Sequence, residues 1–330
     1  MPKYELTEYQ IYQGICFGCH KKHRGELPKG VGRRWFGSRV HSLIGLLTSK
    51  YRLSKQLVTQ LMKDVYALPI SISSVSNAEE RVSHSLEQIY ADIKAKIQKA
   101  PVVHVDETGY KQKNKNGWAW LLASAEFTLF HLNCSRGKKV AMQLLGNCLD
   151  KIVVSDRYAA YNFISPLRHQ VCWAHLKRDF QKISERKGAS GAIGRALLKN
   201  YEQLFIFWKE QGFKEHYFHK KVRKRVRYLK NKLRKSLILG IQCSYRMTRR
   251  TCQNILDNEQ SLWLFFDKPG VPPTNNLAEQ QLRPLVISKK LSFGVQSERG
   301  ARFIERIFSL VMSCKQQGKN PLELLQVAIR

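Results

Sequence analysis

Between residues 101 and 156 the hydropathy pattern switches from helical to strand-like, and this switch limits the possible folds more than any other feature. Val102–Asp106, Trp118–Ser124 and Leu129–Asn133 are short apolar runs separated by turn residues. Among the separators, Lys113-Asn114-Lys115-Asn116-Gly117 reads as a hairpin connection. A helix at about 138–147 leads into a further apolar run, Ile152–Ser155. Three strands, a helix and another strand predict an α/β protein, a mixed sheet flanked by helices.

Two of these runs deliver an acid. Asp106 ends Val102–Asp106, with Glu107 beside it as a competitor, and Asp156 follows Ile152–Ser155. A strand-end Asp can simply bond nearby backbone N–H groups in a turn. A third acid, Glu279, lies in Thr274-Asn275-Asn276-Leu277-Ala278-Glu279-Gln280-Gln281-Leu282-Arg283-Pro284, where Asn276-x-x-Glu279 also reads as a capping box. Asn275, Glu279 and Arg283 fall at i, i+4 and i+8, a polar face that a core helix would not carry. Three carboxylates at element ends, separated by 50 and then 123 residues, offer Mg²⁺ hard oxygen donors and leave positions open for phosphate and water. That chemistry is metal-dependent phosphoryl transfer on nucleic acid.

The charge balance agrees. With 57 Lys+Arg against 25 Asp+Glu, a net charge of +32 and a pI near 10.0, the chain is drawn to a polyanion. At 330 residues and 43% hydrophobic content it can bury a substantial core, in two or three units. The charge concentrates in a stretch at about 188–256. From His216 to Leu256 there is no acid, while thirteen cations run from Lys220, Lys221, Arg223, Lys224 and Arg225 to Arg250. Val222, Val226, Leu229, Leu233 and Leu237 recur at helical spacing, which predicts a docked amphipathic helix with a basic outer face. The face is either merely solvated or contacts phosphates; thirteen unopposed cations favour phosphates.

Residues 1–37 read as loop-like and carry Cys16-x-x-Cys19, with His20 and His23 close behind. A closed zinc site needs four ligands, so Cys16 and Cys19 either share Zn²⁺ with those histidines, lack a partner pair, or are inert thiols. Residues 38–99 read as a helical domain whose break at Ala67–Ser71, with Ser76-x-x-Glu79 as a capping box, resembles a helix–turn–helix. His169, Cys172 and His175 have ligand-like spacing, but with no carboxylate nearby in the sequence a buried structural role is favoured. Leu285–Phe293 reads as a strand or extended segment, Arg299–Lys315 and Pro321–Ile329 as helices. The start shows no secretory pattern and no run is long enough to span a membrane, so the eight cysteines read as reduced thiols in a cytoplasmic, nucleoid-associated protein.

Taken as a set, His104-Val-Asp106-Glu-Thr-Gly, Val154-Ser-Asp156-Arg-Tyr, Cys172-Trp-Ala-His175, Pro269-Gly-Val-Pro-Pro-Thr-Asn-Asn-Leu-Ala-Glu279 and Val286-Ile-Ser-Lys-Lys-Leu-Ser-Phe-Gly resemble the transposases of the insertion-sequence 66 family. The motifs stand in family order from about residue 12 to the end. The resemblance implies a DDE-type recombinase: a ribonuclease-H-like catalytic domain over 100–330, interrupted by the basic helical insertion, with Asp106, Asp156 and Glu279 as catalytic acids holding two Mg²⁺ (or Mn²⁺). Its expected partners are double-stranded DNA, as element ends and target, further copies of the chain on that DNA, and accessory proteins of the element. Arg157, Lys289, Lys290 and Arg299 are candidate phosphate clamps by charge and sequence proximity. Three features depart from the family: Gln280 replaces a common Arg, Tyr110 a common Trp, and of the N-terminal zinc module only what looks like the last Cys pair is present. A structure-specific nuclease on the same fold, or a basic DNA-binding protein with a decayed site, remain as alternatives.

Overall fold

The computed structural model describes residues 5–29, 36–146, 150–210 and 220–329. Its centre is a five-stranded sheet of β3 (Val102–Gly109), β4 (Trp118–Ala123), β5 (Thr128–Asn133), β6 (Ile152–Ser155) and β7 (His169–Val171), in the spatial order β5-β4-β3-β6-β7. β3 pairs antiparallel with β4, which pairs antiparallel with β5; β3–β6 and β6–β7 are parallel. The expected mixed sheet is therefore present. One boundary differs: β3 does not stop at Asp106. It continues through Glu107 and Thr108 to Gly109 because the hairpin partner β4 keeps supplying backbone bonds, Asp106 lying opposite Leu121. Only the parallel pairing with β6 ends earlier, at His104–Val154, so Asp106 sits where one neighbour of the strand runs out.

Alternation along these strands gives the sheet two buried faces. Val103, Val105, Trp120 and Leu122 join Ile93 and Ile97 of α4 (Glu87–Lys99) and Val140, Ala141 and Leu144 of α5 (Lys138–Leu145). Ala119, Leu121, Phe130 and Leu132 instead pack with Ala278, Leu282 and Leu285 of α11 (Asn276–Ser292), and with Phe303, Ile307 and Phe308 of α12 (Glu298–Gln316). α12 also closes the β5 edge. The amides of Thr128, Phe130 and Leu132 donate to Ser313 Oγ (3.0 Å), Ser309 Oγ (2.9 Å) and Glu305 Oε1 (2.6 Å). Four helical residues rise about 6 Å and two strand residues about 6.6 Å, so acceptors at i, i+4 and i+8 track alternate amides and leave no sticky edge.

α11 corrects the expectation of a strand over Leu285–Phe293: the helix runs on through Pro284 to Ser292. Proline there only removes an amide and crowds the carbonyl one turn back. The buried side of the helix, Ala278, Gln281, Leu282, Leu285 and Ser288, holds the axis against that loss.

The helices before the sheet are α1 (Ser38–Thr48), α2 (Lys55–Tyr66), α3 (Ile72–Ser85) and α4. Ile44, Leu47, Val58, Met62, Val75 and Ala78 give them their own small core, while Leu46, Val82 and Leu86 belong to the core under α12. The capping box at Ser76–Glu79 does not form. Ser71 caps α3, accepting from the Ser74 amide (3.0 Å), while Ser76 and Glu79 both meet Lys55 at the start of α2 (2.9 and 2.8 Å). The segment expected to be loop-like holds a hairpin of β1 (Gln13–Ile15) and β2 (Lys22–Arg24).

After β7, α6 (Trp173–Ser184) leads into the insertion, α7 (Gly188–Glu210), α8 (Lys220–Ile241) and α9 (Arg246–Asp257), and the chain returns through the short α10 (Leu264–Asp267). The apolar stripe of α8 is buried as expected, with Val226, Leu229, Leu233 and Leu237 facing inward. An aromatic cluster around Trp173, Trp208, Trp263 and Phe265 fastens the insertion to the sheet. Buried hydrogen bonds fix its register: Trp173 Nε1 donates to Leu262 O (2.7 Å), and the Phe265 amide donates to Gln170 Oε1 (3.0 Å). The α6–α7 corner depends on Gly194, where a Cβ would lie 2.2 Å from Ser184 N, a backbone atom that cannot turn aside. Gly194→Ala is expected to cost at least the upper part of the about 1–3 kcal/mol usual for overpacking. Thermal unfolding should show a Tm lower by several degrees; an unchanged Tm would refute the tight corner.

Candidate active site

β3 points alternate side chains to opposite faces, and this separates two acids that the sequence leaves in competition. His104, Asp106 and Thr108 face α11; Glu107 faces the other way. Glu107 accepts from Arg136 Nε (2.9 Å) and Nη2 (2.7 Å) and from Tyr161 Oη, and Arg136 in turn lies over the Tyr158 ring at 3.8 Å and the Trp118 ring at 4.6 Å. Burial still pushes the Glu107 carboxyl above its usual range. Its oxygens are committed to this network, so it does not compete for the site.

Asp106 has no such partner. Among the described residues its Oδ1 accepts only the Glu107 amide (2.9 Å). Burial, followed by the charges of Glu107, Asp156 and Glu279, pushes its pKa up to about 7. Asp156 follows β6 and accepts the Tyr158 amide (2.9 Å), which fixes the turn after the strand. Glu279 lies in the first turn of α11, with Arg178 Nη2 3.1 Å and His175 Nδ1 3.7 Å from Oε1. It caps nothing: Asn275 is the residue before the helix, and no side chain satisfies the helix start. Asp106, Glu279, Gln280 and Arg283, with Leu282 and Val286, line one cavity of about 470 Å³.

The helix bearing Glu279 is fixed to β3 by Asn275. Its Nδ2 donates to Val105 O (2.8 Å), so Oδ1 is left to accept from His104 Nδ1 (2.9 Å), and its amide donates to Cys172 Sγ (3.1 Å). Burial holds the His104 pKa below its ordinary value, which suits a neutral ring protonated at Nδ1. Asn275 thus ties β3, α6 and α11 at one point. In the sequence Asn275 falls on a polar face, whereas His104 and Arg178 stand within motifs but have no role there; their partners, Asn275 and Glu279, are 171 and 101 residues away.

A carboxylate does reach the Cys172–His175 pair, contrary to expectation. The ligand atoms of Cys172, His175 and Glu279 all lie within 4.8 Å of one another, because Asn275 brings the start of α11 to the start of α6. The same distance links Cys16, Cys19 and His23, so the histidine near the Cys pair is His23, on β2, rather than His20. The backbone amides of Cys19 and Gly18 hold the Cys16 thiol below its usual pKa. The seven described cysteines are free.

The proposed clamps divide. Arg157 is turned onto Asp179 and Asn254, joining the loop after β6 to α6 and α9. Arg299 pairs with Glu80 (3.0 Å), and Lys289 Nζ reaches Thr108 Oγ1 (3.2 Å) and Gly109 O. Lys290 is exposed, as are Lys221, Arg223, Lys224 and Arg225; the Lys220 side chain lies outside the described residues.

Three carboxylates, of which Asp106 is partly buried beside like charge and, among the described residues, has no cationic partner of its own, make a donor set that fits a hard divalent cation, which would offset the desolvation and repulsion raising Asp106. The fold and site together define a basic α/β protein with an acidic, metal-compatible centre where β3, β6 and α11 converge. A family model described as "Transposase IS66 family" matches residues 36–303, and the chain belongs to that family. It is also similar to the "Uncharacterized protein y4qI" of Sinorhizobium fredii (strain NBRC 101917 / NGR234), 24% identical over 269 residues, 72% of this chain and 49% of that protein. The chain spans about half the length of this curated relative. Among the described residues, no helix is long and apolar enough to cross a membrane.

Proposed function

We propose that the protein is a DNA transposase of an insertion sequence that cuts and joins DNA strands at Asp106, Asp156 and Glu279. Membership of the family supports the class of activity. The observation that carries the site is the convergence of the three acids, with Asp106 pushed up to about 7 by burial and by its acidic neighbours. The strand order, with a central first strand antiparallel to the second and parallel to the fourth, supports a ribonuclease-H-like core.

Asp106, Asp156 and Glu279 would hold Mg²⁺ or Mn²⁺. Bound there, the cation polarises a phosphodiester oxygen and makes a water or a DNA 3′-hydroxyl a stronger nucleophile. The chain's own groups position the acids. Asn275 sets the start of α11 against β3, Arg178 orients the Glu279 carboxylate, and the Tyr158 amide orients Asp156. The basic outer face of α8 holds duplex DNA by its phosphates, and α1–α3 form a second, helix–turn–helix-like DNA contact. The protein works as a homo-oligomer on DNA, with accessory proteins of the element, in the cytoplasm.

The test is incubation of purified protein and Mg²⁺ with labelled duplexes taken from the flanks of its own coding region, together with a target plasmid. Cleavage followed by joining of the 3′ ends to the target is expected. Cleavage without joined products would redirect the reading to a nuclease, and binding without cleavage to a protein that has lost the chemistry.

A further inference from the structure

A cavity of about 570 Å³ opens where the β3–β4 hairpin tip meets the chain leaving α11, lined by Tyr110, Asn116, Trp118, Lys289, Lys290 and Phe293. Its size is that of a small-molecule site, and the three carboxylates are not part of it. The floor is fixed. Val295 N donates to Lys111 O (3.0 Å) and Lys113 N to Val295 O (2.8 Å). Gly294 adopts φ +103°, with a would-be Cβ 2.2 Å from Lys111 O, so only glycine allows this approach.

The lining combines three kinds of group. Phe293 ends α11 in a left-handed conformation, φ 57°, and is 76% exposed as a residue. A large apolar ring exposed at a cavity mouth offers a stacking surface. Tyr110 is 2% exposed, and its buried Oη has no hydrogen-bond partner among the described residues. Lys289 and Lys290 add positive charge at the rim. Aromatic faces with adjacent cations are what unpaired nucleobases and their phosphates bind. The position also fits. Gly109 is three residues beyond Asp106 on β3, roughly 10 Å, and Lys289 is ten residues beyond Glu279 on α11, roughly 15 Å. DNA held at the carboxylates would bring a nucleotide some three to four steps away to the cavity mouth, at about 3.4 Å per step.

We propose that this cavity receives one unpaired nucleobase of the bound DNA, stacked on Phe293, with a flanking phosphate on Lys289 and Lys290. The proposal rests on the reading of the protein as DNA-binding, and the two fail separately in the following experiment. Duplexes carrying one bulged fluorescent base analogue, the same bulge without a base, or no bulge are titrated with the protein in the absence of divalent metal. The base bulge should bind about ten-fold more tightly than the abasic bulge, the order of one base–aromatic stack, and its emission should change on binding. Phe293→Ala should abolish that preference while keeping the affinity for the fully paired duplex. Asn116→Ile, which fills the mouth from an exposed position without adding an aromatic face, should do the same. Equal binding of base and abasic bulges, or a preference that survives both substitutions, overturns the cavity assignment and leaves DNA binding standing. Failure to bind any duplex overturns both.

Discussion

Asp106→Asn, Asp156→Asn and Glu279→Gln should each reduce strand cleavage and joining by roughly 10³-fold or more, the rate equivalent of several kcal/mol of lost charge stabilisation in the transition state. The three variants should nevertheless fold and bind duplex DNA. A carboxamide in place of the Asp106 carboxylate can still accept the Glu107 amide, and one in place of Asp156 the Tyr158 amide, because each change keeps an oxygen for these bonds. Glu279→Gln weakens the pairing with Arg178, which is more than half exposed and so worth only about 0–1 kcal/mol. The Asp106 change carries a sharper signature. Burial and the charges of Glu107, Asp156 and Glu279 all oppose its ionisation, so neutralising it removes repulsion from the metal-free protein. Its Tm without metal should equal or exceed that of the parent, and any stabilisation of the parent by added Mg²⁺ should shrink. A fall in Tm, or Mg²⁺-dependent cleavage near the parental rate, would remove Asp106 from the site.

The sheet was legible because its strands are short, apolar and bounded by turn residues. The extent of β3 was not. Asp106, Glu107 and Thr108 have no apolar alternation, and only the β4 partner keeps them in the sheet. α11 was hidden for a different reason: Pro284 signals a helix end locally, while the packing that overrides it comes from distant strands and α12. The site itself depends on partners far apart in sequence. Asn275 meets His104 across 171 residues and Arg178 meets Glu279 across 101. Cys172-x-x-His175 therefore read as isolated from any carboxylate, although Glu279 stands beside it in space. Motif order singled out Asp106, Asp156 and Glu279 as candidates, but the contacts of Asn275 and Arg178 are visible only in three dimensions.

The cations of α8 differ in what they face, and this makes their proposed contribution to DNA binding measurable. Lys230 pairs with Asp267 (3.8 Å), Arg234 with Glu259 (3.3 Å), and Lys232 donates to Gln203 (2.8 Å), so these charges serve the packing of the insertion. Lys221, Lys224, Arg225 and Arg227 are exposed, and among the described residues none has an acidic partner. Replacing these four by Gln should reduce the slope of log affinity against log salt by about 0.9 for each phosphate no longer neutralised, about 3.6 if all four touch DNA. The weakening should be similar for every duplex sequence, since phosphates carry no base information. Tm should hardly change, because the stripe of Val226, Leu229, Leu233 and Leu237 that docks the helix is untouched. Arg234→Gln is the internal control: it removes the same charge but from a group facing Glu259, and should leave the slope nearly unaltered. If the quadruple variant also keeps its slope, α8 does not face the DNA phosphates, and the electrostatic footprint must lie elsewhere on the molecule.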